Sequence, residues 1–260
     1  MSIRKTVVAG SFYPNEKKEL LSLIKSFSKI ETQNSFEHIN AIITPHAGFI
    51  YSGNLANKSY FLCSEQNPKR VIVVGPSHHV YFEGSHICLD DEYETPLGNI
   101  QVDTEFSKDL KEKYSFLNIN EECTFEHSTE TQAPFIKYHF PNAKIIEIIY
   151  GNQDFNTLSE LIAEVIKDKD NLLVISTDLS HFYSLEKAKE LDLNCIKGIE
   201  KKDMSILENS EACGKIGIKA ILKIAISKSL NAKVLDYSTS CDVTNDKSRV
   251  VGYTTALIGK

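Results

Sequence analysis

The strongest constraint on this chain is a repeated alternation: a short, nearly unbroken aliphatic run, a turn rich in Gly, Pro or Ser, then a stretch with helical spacing. The runs are residues 39–44, 71–74, 145–150 and 172–176. A strand with one wet face alternates polar and apolar residues. Unbroken apolar runs therefore imply strands covered on both faces, as in parallel sheets flanked by helices. Apolar spacing predicts helices over 54–63, 103–114, 156–167, 185–199 and 213–230. Thr157 and Glu160 fit a capping box at the start of one of them. Runs at 234–238 and 250–258 are expected to extend the same sheet. Residues 84–102, which contain Thr95-Pro96-Leu97-Gly98, read as a hairpin or irregular insertion. The expected fold is α/β, one domain over residues 1–260. It is a three-layer sandwich with a mostly parallel central sheet and helices on both faces. No repeat, low-complexity tract or linker divides the chain, and its 260 residues fall within the reach of a single core.

Composition narrows the function classes. With 42% hydrophobic and 25% charged residues the chain can bury a core. Its net charge of -6 offers no field that would gather nucleic acid. No run is long and apolar enough to read as a signal peptide or a membrane span, so no membrane partner is expected. The six cysteines, Cys63, Cys88, Cys123, Cys195, Cys213 and Cys241, are scattered, and no CxxC pair occurs. They read as separate thiols of a reduced, cytoplasmic, soluble protein.

The chemistry-bearing residues recur just after the inferred strands. His46 follows the first run, His78 and His79 the second, Asp178 and His181 the fourth, and Cys241 the run at 234–238. Carboxyl ends of parallel strands share one edge, where ligands bind, so these residues converge. Imidazoles suit iron, copper and zinc, and a thiolate adds a preference for softer ions. Two histidines and a cysteine leave coordination positions open, as a catalytic site does. His127 and Glu130, three residues apart, would share a helix face as an acid and base pair, and Asp178 and His181 are spaced alike. Cys213 opens an apolar helix, where packing is the expected role; Cys241 in its polar turn is the better ligand candidate. His38, His86 and His139 read as structural or surface residues. A serine hydrolase built on Ser77, Asp178 and His181 is a weaker alternative, because a nucleophile elbow needs glycine where His79 stands. Dinucleotide and P-loop motifs do not occur in the chain.

Taken in order, several segments form a recognisable set. They are Val8-Ala9-Gly10-Ser11-Phe12-Tyr13-Pro14, Pro45-His46-Ala47-Gly48-Phe49-Ile50-Tyr51, Gly75-Pro76-Ser77-His78-His79, Glu126-His127-Ser128-Thr129-Glu130, Thr177-Asp178-Leu179-Ser180-His181 and Cys213-Gly214. This set resembles that of the Memo family, whose prokaryotic members are called AmmeMemoRadiSam system protein B. The resemblance implies a fold similar to class III extradiol (LigB-type) non-haem iron dioxygenases. It also implies iron, with copper or zinc as substitutes, held by His46, His78 and Cys241. His181, Asp178, His127 and Glu130 are the implied catalytic groups of a dioxygenase-like oxidoreductase. The family's prokaryotic label points to a radical-SAM system partner. The competing expectation is a non-catalytic pocket for a peptide, small molecule or small anion.

Overall fold

The computed structural model describes residues 1–27 and 35–260. The first half of the chain forms β1 (Ile3–Arg4), α1 (Lys17–Ser26), β2 (Ile39–Thr44), α2 (Phe49–Cys63), β3 (Arg70–Pro76), β4 (Ser85–Ile87), β5 (Glu92–Tyr93), β6 (Ile100–Gln101), α3 (Thr104–Lys113), β7 (Leu117–Asn118), α4 (His127–Glu130) and α5 (Ala133–His139). The second half forms β8 (Lys144–Tyr150), α6 (Phe155–Val165), β9 (Asn171–Ser176), β10 (His181–Tyr183), α7 (Leu185–Lys201), α8 (Met204–Glu208), α9 (Lys215–Ser227), β11 (Asn231–Thr239), α10 (Cys241–Thr244) and β12 (Val250–Gly259).

Among the described residues nine strands form the main sheet, in the order β10-β12-β2-β9-β3-β8-β4-β7 with β11 also paired to β12. Inward and outward residues alternate along the inner strands. Ala41, Ile43, Ile72, Val74, Leu173 and Ile175 join one core with α6, α7 and α9. Ile42, Val71, Val73, Leu172 and Val174 join a second core with α1, α2 and α5. Helices therefore cover both faces, which is why these strands tolerate unbroken apolar runs.

The expected mostly parallel sheet is corrected to a mixed one. The inner strands β2, β9, β3 and β8 are mutually parallel. Outside them β12 runs antiparallel to β2, β10 and β11, and β4 antiparallel to β8. The connection from β11 to β12 is too short for a crossover, so these strands fold back as a hairpin. Residues 84–102 hold the expected hairpin in β5 and β6, paired Glu92 to Gln101 and Tyr93 to Ile100. Its turn is closed by Gly98 N–H to the Thr95 carbonyl at 2.9 Å. The start of α6 is also corrected: Asp154, not Thr157, is the cap, and its carboxylate accepts from Thr157 N–H at 3.0 Å. Asp154 lies outside the apolar pattern that drew attention to Thr157.

Candidate metal centre

Three parallel strands deliver most of the site. His46 follows β2 and His78 follows β3, while Asp178 follows β9, which lies between those two strands. A helix supplies the thiol. Cys213 precedes Gly214, the N-cap of α9, and docks on the end of β9. Its N–H donates to the Asp178 carbonyl at 3.2 Å, and Gly214 N–H donates to Thr177 Oγ1 at 2.9 Å. A Cβ on residue 214 would stand 2.8 Å from the Ser176 carbonyl oxygen, so this approach requires glycine.

The donor atoms of His46, His78 and Cys213 all lie within 4.8 Å of one another. His46 Nε2 is 3.3 Å from Cys213 Sγ. The hydrogen-bond network fixes which ring nitrogen is free. Ser176 Oγ gives its single proton to the Ser128 carbonyl (2.5 Å) and accepts from Gln132 Nε2 (2.9 Å). Ser176 Oγ can therefore only accept from His46 Nδ1, at 3.0 Å, which leaves a lone pair on Nε2. His78 Nδ1 likewise faces Glu126 Oε1 at 2.9 Å; a carboxylate only accepts, so Nδ1 carries the proton and the neutral form of the ring has its lone pair on Nε2. His46 is buried, Cys213 half-buried and His78 exposed, so the group runs from the floor of the crevice to its mouth.

Burial sets the charge state of the crevice. It drives the His46 pKa well below its ordinary value, aided by the neighbouring His78 and His127. Burial likewise lowers His127 to about 4 and lowers His181. Asp178 is pushed up to about 7, chiefly by burial, against the hydrogen bonds from His46 and Ala47 N–H. The contact of 4.0 Å between His46 Nε2 and Asp178 Oδ2 is therefore not an ion pair near neutral pH, since both partners shift towards neutrality. Burial would raise Glu126, but the side-chain and backbone hydrogen bonds from His78 outweigh it and hold the carboxyl at about 2. The Cys213 thiol is raised by burial and by Asp178, while Asp178 N–H donates to its sulfur at 3.1 Å. Burial therefore favours the neutral imidazoles of His46, His127 and His181 beside one thiol.

Residues 4–257 match the profile of the Memo-like protein family. The chain belongs to the Memo family. It is 35% identical to a MEMO1 family protein of Thermoplasma volcanium, over 98% of either chain. It is 34% identical to one from Methanobrevibacter smithii, over 98% of this chain and 99% of the relative. A third, from Aquifex aeolicus, is 33% identical over 97% and 98%.

Among the expected site residues of this Memo-family chain, His46 and His78 come together, and Asp178 lies beside them with its Oδ1 accepting His46 N–H at 2.8 Å. His127 joins the cluster, its ring centroid 4.6 Å from that of His78 and 5.6 Å from that of His46. His181 opens β10, half-buried, near enough to act electrostatically on His46. Cys241 requires correction. Among the described residues it belongs to no group of metal-competent side chains, and it packs with Ala188, Val250 and Leu185. Its strand, β11, stands outside β12, two strands from β2. Among the described residues Cys213, not Cys241, is the thiol grouped with His46 and His78. Glu130 is also corrected: its carboxylate is buried away from His127. It accepts from Arg4 Nη1 (2.7 Å), Val7 N–H (2.8 Å), Val8 N–H (2.9 Å) and Tyr13 Oη (2.8 Å). The four-residue α4 is too short to keep a shared catalytic face, and Glu130 anchors the N-terminal segment. Ser77 Oγ donates to the Val80 carbonyl at 2.7 Å within its own turn, an arrangement that lends the hydrolase alternative no base. All six cysteines are free, and among the described residues no helix is long and apolar enough to cross a membrane.

Proposed function

We propose that the protein is a metalloprotein that holds one transition-metal ion, redox-active iron first and copper or zinc as substitutes, between His46, His78 and Cys213. The observation that carries this reading is the convergence of a ligand atom from each of two imidazoles and one sulfur within 4.8 Å. The donor set fits: borderline nitrogen and soft sulfur ligands match these metals and not magnesium or calcium. With only three protein ligands, a position remains for a small molecule, as in catalytic sites. When bound, the ion would supply Lewis-acid and one-electron chemistry of the non-haem oxidoreductase class.

The chain's own residues have separate tasks around that position. His127 is neutral at physiological pH and can take a proton from a bound molecule. His181 can do the same from the β10 side. Asp178, with its carboxyl near 7, can hold a proton on Oδ2 while Oδ1 accepts the His46 N–H. The test is metal analysis of anaerobically purified protein. Wild type and Cys241→Ser should carry stoichiometric metal, and His46→Ala and Cys213→Ser should lose it. Metal lost in Cys241→Ser and kept in Cys213→Ser would overturn the ligand set. A metal-free wild type that takes up none of the three ions would overturn the metalloprotein reading and leave a non-catalytic pocket.

A further inference from the structure

Besides Asp178, the crevice is touched by a carboxylate that sequence spacing did not single out. We propose that Glu126 is the positioning residue of His78: it holds the Nδ1–H and turns Nε2 towards His46 and Cys213. The proposal rests on the metal-centre reading for its consequence, and on hydrogen bonds alone for its geometry.

His78 is the ligand most in need of such a partner. It follows β3 in an exposed turn, and its side chain keeps 28% of its surface open. Glu126 grips it twice, through His78 N–H to Oε2 at 2.6 Å and Nδ1 to Oε1 at 2.9 Å. One contact fixes the backbone and the other the ring, so χ rotation and tautomer are both set. Glu126 is itself held from several sides. Its carboxylate accepts from His127 N–H (3.0 Å) and Ser128 N–H (2.9 Å), which caps α4. Its main-chain carbonyl accepts from Arg4 Nη2 at 2.6 Å, and its N–H donates to the Cys123 carbonyl at 3.0 Å. Glu126 is 1% exposed, so little competing water reaches it. His46 is oriented by the neutral Ser176 hydroxyl and His78 by an anion. The two ligands therefore differ in what holds the Nδ1 side of each ring, a hydroxyl for His46 and a carboxylate for His78.

The experiment uses the full chain and Co²⁺ as the probe. Wild type should bind Co²⁺ with a sulfur-to-cobalt charge-transfer band, and His46→Ala should lose that binding. Glu126→Ala should bind about 10- to 100-fold more weakly. Glu126→Gln, whose amide oxygen can still accept from Nδ1–H, should lie between them and keep the charge-transfer band, since Cys213 is untouched. If wild type shows no His46-dependent binding, the metal-centre reading falls. If that binding is present and folded Glu126→Ala matches wild type, the positioning role falls alone. Histidine ¹⁵N NMR on metal-free wild type needs no variant. In the neutral form of the ring, His78 protonated on Nδ1 is the expected result, and His78 protonated on Nε2 instead would overturn the proposal even if Glu126→Ala did not fold.

Discussion

Replacing Glu130 by Gln separates an anchor from a catalytic acid. Both Glu130 and its partner Arg4 have 0% side-chain exposure, and their closest contact is 2.7 Å. Glu130 serves four donors, on Arg4, Val7, Val8 and Tyr13. The isosteric amide keeps one acceptor oxygen, but it presents an N–H to a site built wholly of donors and removes the nearer of two buried carboxylates that offset the Arg4 guanidinium, the other being Glu147 at 3.6 Å. Breaking one partner of a buried pair costs about 3–5 kcal/mol. For a chain of this size that corresponds to a fall in Tm of roughly 6–20 °C. Urea denaturation should show the same loss as a lower midpoint at an unchanged slope. Below the melting transition the variant should keep its metal, because Glu130 touches none of His46, His78 or Cys213. A Glu130→Gln protein within about 1 kcal/mol of wild type that had lost metal or turnover would refute the anchor and return Glu130 to the pocket.

Two further perturbations probe the frame. Gly214→Ala forces a Cβ against the end of β9, 2.8 Å from the Ser176 carbonyl; it should cost roughly 1–3 kcal/mol and weaken Co²⁺ binding by displacing Cys213. Unchanged melting and affinity would mean that α9 does not set the thiol's place. His139 Nε2 donates to Asn57 Oδ1 (2.9 Å), away from the crevice histidines in the contacts it makes, and burial lowers its pKa from 6.5 to about 4. The unfolded chain then takes up the proton first as pH falls, so this stability is present above about 6.5 and is lost on the way down towards about 4. Between about pH 7 and about pH 5 the loss is roughly 2 kcal/mol. His139→Gln should flatten the acid dependence of urea stability by that amount, and a variant with the wild-type slope would refute the assignment.

The parts of the fold that were legible in the sequence are those whose physics is local. Strands β2, β3, β8 and β9 are buried on both faces and show it as nearly unbroken runs, interrupted by Asn40 in β2 and Glu147 in β8. Glu147 is accommodated by Tyr93 Oη (2.8 Å) and Thr129 Oγ1 (2.6 Å) on its Oε1. His46 and His78 were legible because each follows such a run through a proline or a Gly-Pro turn. Direction was not legible: β12, β10 and β4 are as apolar or as short in either sense, and antiparallel pairing leaves no mark in periodicity. Glu126 was hidden for another reason. An acid just before His127-Ser128-Thr129 looks like a helix cap, and it is one; that the same carboxylate also reaches His78, 48 residues away, depends on the packing of α4 against β3.

The two cysteines turn on the same distinction. Cys241 follows a strand that runs in the same sense as β2, since β11 and β2 are both antiparallel to β12, so the strand-end rule admits it. Lateral order then excludes it. Two strand spacings separate β11 from β2, about 10 Å, which is beyond the reach of a shared ion. Cys213 follows no strand, and its helical spacing suggested packing. Yet α9 docks on β9, between the strands that carry the two histidines, with Gly214 seated on the strand end. Position along a strand is written in periodicity, whereas position across a sheet is fixed only by long-range pairing. A thiol brought in by a helix can therefore be assigned only after the strand order is known.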